Sequence, residues 1–146
     1  MGLTAALGSG PVALDTVAFI YFIEEHERFV PVVAPLFVDA ARGRRRLVTS
    51  ALTLLEVLVV PYRAGDVALA ERYEALLTRS RGLMLVGIER GQLRAAAQLR
   101  AAYGVRTPDA LQLAAALAHR CGAFVTNDRR LPAIPGLRVV QLSDYA

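Results

Sequence analysis

The sequence predicts an α/β fold, a three-layer α/β/α sandwich around a mainly parallel central sheet. Three observations carry this reading. Short apolar runs, PVAL (11–14), LVTS (47–50), LMLVGI (83–88), AFVTN (123–127) and RVVQL (138–142), alternate with longer segments of helical character. Those runs are continuous rather than alternating in polarity, as in strands buried on both faces of a parallel sheet. The chain has 146 residues, 55% of them hydrophobic, which suits one domain with a real core over residues 1–146.

The elements follow in order. The first fourteen residues are uncharged, carry Gly and Pro, lack the basic start of a signal peptide, and read as a leader into the first strand. That strand ends at Asp15, and TVAFIYFIEE (16–25) follows as a helix that Asp15 or Thr16 can cap. FVPVVAPLFVDAAR (29–42) predicts a second apolar helix with Pro31 or Pro35 near its start. After the polar break at Arg44-Arg45-Arg46 and the strand LVTS, Ser50 caps a helix from Ala51 to about Tyr62, which Pro61 should kink or end. Gly65-Asp66 opens an amphipathic helix with charges at 71, 72 and 74. The segment 89–104 predicts a helix stopped by Gly104. Thr107-Pro108-Asp109 reads as a helix start, with Thr as cap and Pro in the first turn, and that helix ends near Cys121-Gly122.

Composition removes several function classes. No uncharged apolar run reaches the ~20 residues of a membrane span, so the protein is expected to be soluble and cytoplasmic. A single cysteine, Cys121, rules out an intrachain disulfide and a thiolate cluster, and it reads as a small buried hydrophobe. The net charge is +4, and all 17 basic residues are arginine. The lack of lysine excludes the P-loop signature and argues against receiver-type phospho-acceptor domains. A modest basic excess suits a polyanionic partner.

Four acids stand where acids are costly. Asp15 closes an apolar strand, Glu56 lies inside ALTLLEVLVV, Asp109 opens TPDALQLAAALAH and Asp128 follows AFVTN. An ionised carboxylate buried without a partner is strongly unfavourable. In an open parallel sheet, ligands bind beyond the carboxyl ends of the strands. Asp15, Asp128 and Glu56 belong near that edge by topology, and Asp109 joins them if its helix begins there. Each acid has a plainer role available. Asp15 can be a helix cap, Asp109 can complement a helix dipole for ~0.3–1 kcal/mol, and Asn127-Asp128 suits a turn. Glu56 is the hardest to explain away, because Leu52, Leu55 and Val59 surround it at helical spacing, predicting an inward face, and no base lies three or four positions away.

Clustered carboxylates repel, and a hard divalent cation with oxygen ligands reverses that repulsion. Two such ions can activate a water and stabilise the leaving oxygen of a phosphodiester. His26 and His119 lie amid helical sequence, away from the acids, and read as surface or helix-end residues.

The ordered set LDTVAFIYFIEE, SALTLLEVLVVPYRAG and TPDALQLAAALAHRCGAFVTNDRRL resembles PIN domains, most closely VapC-like ribonuclease toxins of bacterial and archaeal toxin–antitoxin pairs. The likeness extends from about residue 12 to 142. It implies a PIN-like fold and an endoribonuclease dependent on Mg²⁺ or Mn²⁺. Asp15, Glu56, Asp109 and Asp128 match the family's acidic quartet, which ligates metal directly or through water. Thr126 matches a small polar residue two before the last acid, with a hydrogen-bonding role toward the quartet, and Asn127 is a further helper. The implied partners are RNA, a small antitoxin protein and a second copy of the chain as a homodimer. Arg106, Arg129 and Arg130 flank two of the acids and are candidates to hold the RNA backbone, although ordinary surface charge explains each. Arg44–Arg46 reads as a phosphate patch or a solvated turn.

Two other readings compete. One is a non-catalytic PIN-like module that binds RNA or protein, with FIYFIEE and FVPVVAPLFV as interaction faces. The other is a phosphotransferase of the haloacid-dehalogenase type, which usually needs a second aspartate where this chain has Val17.

Overall fold

Strand pairing organises the molecule. A computed structural model describes residues 2–146, with five strands: β1 (Val12–Leu14), β2 (Leu47–Ser50), β3 (Leu83–Val86), β4 (Ala123–Thr126) and β5 (Arg138–Gln141). They pair in the order β3-β2-β1-β4-β5, and every strand pairing is parallel. Seven helices cover the sheet: α1 (Leu3–Leu7), α2 (Thr16–Ile23), α3 (Val30–Ala41), α4 (Leu52–Arg63), α5 (Val67–Arg79), α6 (Arg90–Tyr103) and α7 (Thr107–Ala118).

Successive strand residues point to opposite faces, and the two faces carry separate cores. Val12, Leu14, Leu47, Ala123, Val125 and Val140 pack with α1 to α5, chiefly Phe19, Val33, Leu36, Phe37 and Tyr73. Ala13, Val48, Val86 and Phe124 pack on the other face with Leu99 of α6 and Leu113 and Ala114 of α7. The continuous apolar strands follow from this double burial. Among the described residues, no helix is long and apolar enough to cross a membrane.

Several local expectations are corrected. Residues 3–7 of the expected leader form α1, and Leu3 and Leu7 are buried in the first core. FIYFIEE and FVPVVAPLFV are not free faces, because Phe19, Phe29, Val33, Leu36 and Phe37 are core residues. Pro35 sits inside α3, yet the helix continues with Val33, Leu36, Phe37 and Ala40 buried. A helix-interior proline costs about 3 kcal/mol, and each fully buried large apolar side chain returns roughly 1.5–3 kcal/mol, so packing wins. The helix α4 ends at Arg63, two residues past Pro61 and one beyond the expected Tyr62. Ser50 does accept the Leu52 N–H at 3.1 Å, although the residue at the helix boundary is Ala51. The cap position of α7 is Arg106, with Thr107 and Pro108 in the first turn, and the helix ends at Ala118 because Arg120 turns left-handed at φ 55°.

The turn into β3 depends on Gly82. Its φ is +80°, and a Cβ there would lie 2.6 Å from the carbonyl oxygen of Ala40. Gly82→Ala is therefore expected to destabilise the fold by about 1–3 kcal/mol, read as a lower midpoint in chemical denaturation. An unchanged midpoint would contradict this packing.

Candidate functional site

The order of the strands reverses at β1. The chain steps from β1 outward through β2 to β3, then returns to place β4 on the other side of β1. In open α/β sheets such a reversal leaves a crevice beyond the strand ends, where ligands bind. Asp15 leaves β1 at this point, and Asp128 lies two residues beyond β4.

Local structure fixes Asp15 tightly. Its backbone N–H donates to Val125 O at 2.9 Å, which ties it to β4. Its Oδ1 accepts the Thr16 N–H at 2.8 Å as the cap of α2, and its Oδ2 accepts the Thr126 hydroxyl at 2.7 Å. The Thr126 oxygen in turn accepts the Asp128 N–H at 3.0 Å. One hydroxyl therefore spaces two of the acids.

Glu56 reaches the same place from α4. Its Oε1 accepts the Thr16 hydroxyl at 2.6 Å, so it stands one residue from Asp15 in the bonding pattern. The expected inward face is corrected. Leu55 and Val59 are 62% and 42% exposed, and α4 buries Thr53, Val57, Leu58 and Pro61 instead. Glu56 lies at the border between those faces. Asp109 comes from the first turn of α7 and is partly buried.

The charge of Asp15 couples to those of the other three acids. Burial pushes the Asp15 carboxyl above its ordinary range; the hydrogen bonds from Thr126 and Thr16 oppose this, and the charges of Glu56 and Asp128 add to it. Burial also raises Asp109, reinforced by Asp128 and Asp15 and opposed by Arg130 and Arg106. Asp128 is lowered, first by the Arg130 side chain and then by its backbone N–H. That contact is bidentate: Nε to Oδ1 at 3.0 Å and Nη2 to Oδ2 at 3.0 Å.

Beneath the acids lies a polar cluster that the sequence reading missed. Thr49, Ser50, Thr53, Gln112 and Thr126 are its buried polar residues. Gln112 Nε2 donates to Thr53 Oγ1 at 2.7 Å and reaches Thr16 Oγ1 at 3.4 Å, while its Oε1 accepts the Ser50 N–H at 3.2 Å. Thr49 donates to Leu14 O at 2.9 Å and lies 2.7 Å from Thr53. The available signal was weak: a lone glutamine within an apolar helix, and threonines at 49 and 53 on either side of the junction from strand to helix.

Other candidates are placed elsewhere. Asn127 does not touch the acids; it donates to the Tyr21 hydroxyl at 3.1 Å and accepts the Ser143 N–H at 2.9 Å, so it braces the loop. Arg129 turns to Asp144 at 2.6 Å, away from the acids. Arg106 and Arg130 remain close enough for their charges to act on Asp109 and Asp128. His26 accepts backbone N–H groups near the start of α3, and His119 ends α7. Cys121 is buried, and burial pushes its thiol up to about 11.

The donor set is all carboxylate oxygen, which suits a hard divalent cation. Asp15 has no basic side chain bonded to it, so a cation would relieve its desolvated charge. Among the described residues, however, no three His, Cys, Asp or Glu side chains stand placed to hold one ion as they are. Asp128 is engaged with Arg130 instead.

The pH dependence has a definite sign. Asp15 and Asp109 have folded-state pKa values above the ordinary 3.8. They favour the fold when protonated, and that contribution is lost as pH rises through their folded values. Asp128 acts oppositely, with its contribution lost on acidification. Asp15→Asn is expected to raise Tm by a few degrees at neutral pH without divalent ions, and the gain should vanish as pH falls to 3.8. Thermal unfolding across that range checks this, and a gain independent of pH would contradict it.

The family model described as PIN domain matches residues 12–137. Solved structures share the fold. VapBC2 from Rickettsia felis, bound to a DNA fragment from their promoter, is 18% identical with a TM-score of 0.69, covering 90% of this chain and 98% of that one. A toxin–antitoxin complex from Klebsiella pneumoniae is 22% identical with a TM-score of 0.64, covering 86% and 94%. DNA-bound VapBC from Salmonella typhimurium is 22% identical with a TM-score of 0.61, covering 91% and 98%. No curated protein matches the chain in sequence. With the match spanning β1 through β4 and taking in all four acids, the chain belongs to the PIN domain family.

Proposed function

We propose that the chain is a divalent-metal-dependent endoribonuclease, the toxin member of a toxin–antitoxin pair. The observation that carries this reading is the convergence of Asp15, Glu56, Asp109 and Asp128 at the strand-order reversal, with Asp15 desolvated and bonded to no base. Membership of the PIN family and the toxin–antitoxin complexes among its structural likenesses support it.

In this reading the four acids hold Mg²⁺ or Mn²⁺. The bound ion supplies an ionisable water and positive charge for the leaving oxygen of the phosphodiester. The chain's own groups do the rest. Thr126 and the Thr16 N–H orient both oxygens of Asp15. Arg130 holds Asp128 in the resting arrangement and exchanges that carboxylate for an RNA phosphate, which frees Asp128 to join the site. Arg106 offers a second positive charge beside Asp109.

A protein partner is supported by α4, where Leu55, Val59, Val60 and Tyr62 form an exposed apolar stripe beside Glu56. An antitoxin covering that stripe would also cover the site. A homodimer and a cytoplasmic site of action belong to the same reading.

The second reading is a PIN module that binds without cutting. It is favoured by one observation: among the described residues, no three acids close on an ion as they stand.

Cleavage of single-stranded RNA with Mg²⁺ or Mn²⁺ separates the two. Asp15→Asn, Glu56→Gln and Asp109→Asn should each lower the rate by more than about 100-fold. Equal rates for all variants, or no metal-dependent cleavage by the wild type, would remove the nuclease reading. Arg130→Gln should bind Mn²⁺ several-fold more tightly and RNA more weakly. Weaker Mn²⁺ binding would contradict the exchange at Asp128.

A further inference from the structure

Gln112 is buried at 3% exposure in α7, among alanines and leucines, yet it makes more side-chain hydrogen bonds than core filling needs. Its amide has one permitted orientation. The Ser50 N–H can only donate, so the group facing it at 3.2 Å must be the carbonyl Oε1. The Nε2 then faces Thr53 at 2.7 Å and Thr16 at 3.4 Å and can only donate to both. This sets the hydroxyl protons in sequence. Thr49 donates to Leu14 O at 2.9 Å, so the 2.7 Å contact between Thr53 and Thr49 uses the Thr53 proton. Thr16 receives from Gln112, and its own single proton goes to Glu56 Oε1 at 2.6 Å.

We propose that Gln112 is a positioning residue for Glu56, acting through the Thr16 hydroxyl. A fixed backbone N–H at the end of β2 thereby sets the direction of a hydrogen bond on an acid of α4, through a side chain of α7 and a hydroxyl of α2. The three helices that bring Glu56, Asp109 and Asp15 to the crevice share this one amide. The Glu56 carboxylate has no other hydrogen bond among the described residues, so loss of the Thr16 proton's direction releases it to other rotamers. The inference rests on the metal-binding role proposed above for Glu56. Its consequence for the bound ion is a change in affinity, as when groups that orient ligands are removed.

The experiment uses the full chain and two readouts. One is the Thr16 hydroxyl proton by NMR, which needs no metal. In the wild type it is expected as a slowly exchanging resonance in contact with the Glu56 side chain. The other is Mn²⁺ affinity by paramagnetic resonance of the free ion. Gln112→Met keeps length without the amide. Gln112→Asn, one methylene shorter, keeps the amide but cannot span Ser50 and Thr16, and it serves if the first variant folds poorly. Both should lose the slow Thr16 resonance and weaken Mn²⁺ by about 10-fold. Thr16→Val combined with Gln112→Met should bind Mn²⁺ no more weakly than Thr16→Val alone, because the two residues act in series. Retention of the hydroxyl resonance in both Gln112 variants, or additive losses in the double variant, would overturn the proposal. If the wild type binds no Mn²⁺, the metal reading falls, and the hydroxyl resonance still decides whether Gln112 positions Glu56.

Discussion

A parallel sheet whose strand order reverses at β1 leaves its carboxyl edge open between β1 and β4, and the acidic end of this molecule is built on that constraint. Asp15 occupies the reversal itself. It closes β1, bonds to β4 through its backbone, and caps α2 through its side chain. A residue with those three obligations cannot move to solvent. Its carboxylate stays desolvated, and neighbouring carboxylates make that state worse rather than better. The same geometry brings Glu56, Asp109 and Asp128 within reach of its charge.

Hydroxyls and one amide, rather than arginines, organise the inner part of this arrangement. Thr126 links Asp15 with the backbone of Asp128, and Thr16 links α2 with Glu56. Such groups orient carboxylates without neutralising them, which leaves the negative charge available to a cation. The arginines stand at the rim. Arg130 grips Asp128 with 70% of its side chain exposed, where an ion pair is worth little and is readily exchanged. This division separates residues that shape the site from residues exposed at its rim.

The fold was legible because double burial leaves a plain mark: five continuous apolar runs with helical segments between them. All four acids were legible for a related reason, since a carboxylate in apolar sequence is energetically conspicuous. The face of α4 was not. That helix is apolar nearly all round, so Leu55 and Val59 read as core when they are exposed, and only packing reveals Thr53, Val57 and Leu58 as the inward set. The helix at 3–7 escaped because five residues between glycines carry too little periodicity. Gln112 escaped because a polar residue in an apolar helix ordinarily marks the solvent side, and its burial depends on partners 59 to 96 residues away in sequence. Asn127 and Arg129 were placed by adjacency to Asp128, yet consecutive residues in a loop point in different directions, and both turn to the C-terminal segment.

Burial and neighbouring charge raise Asp15 and Asp109, and a divalent cation bound among the acids would relieve that crowding. Thermal unfolding at neutral pH with and without millimolar Mn²⁺ tests it most directly, since a ligand of the folded state raises Tm by mass action. Mn²⁺ is expected to raise the Tm of the wild type and to leave those of Asp15→Asn and Glu56→Gln nearly unchanged. An equal response from all three proteins, or none from the wild type, would contradict it.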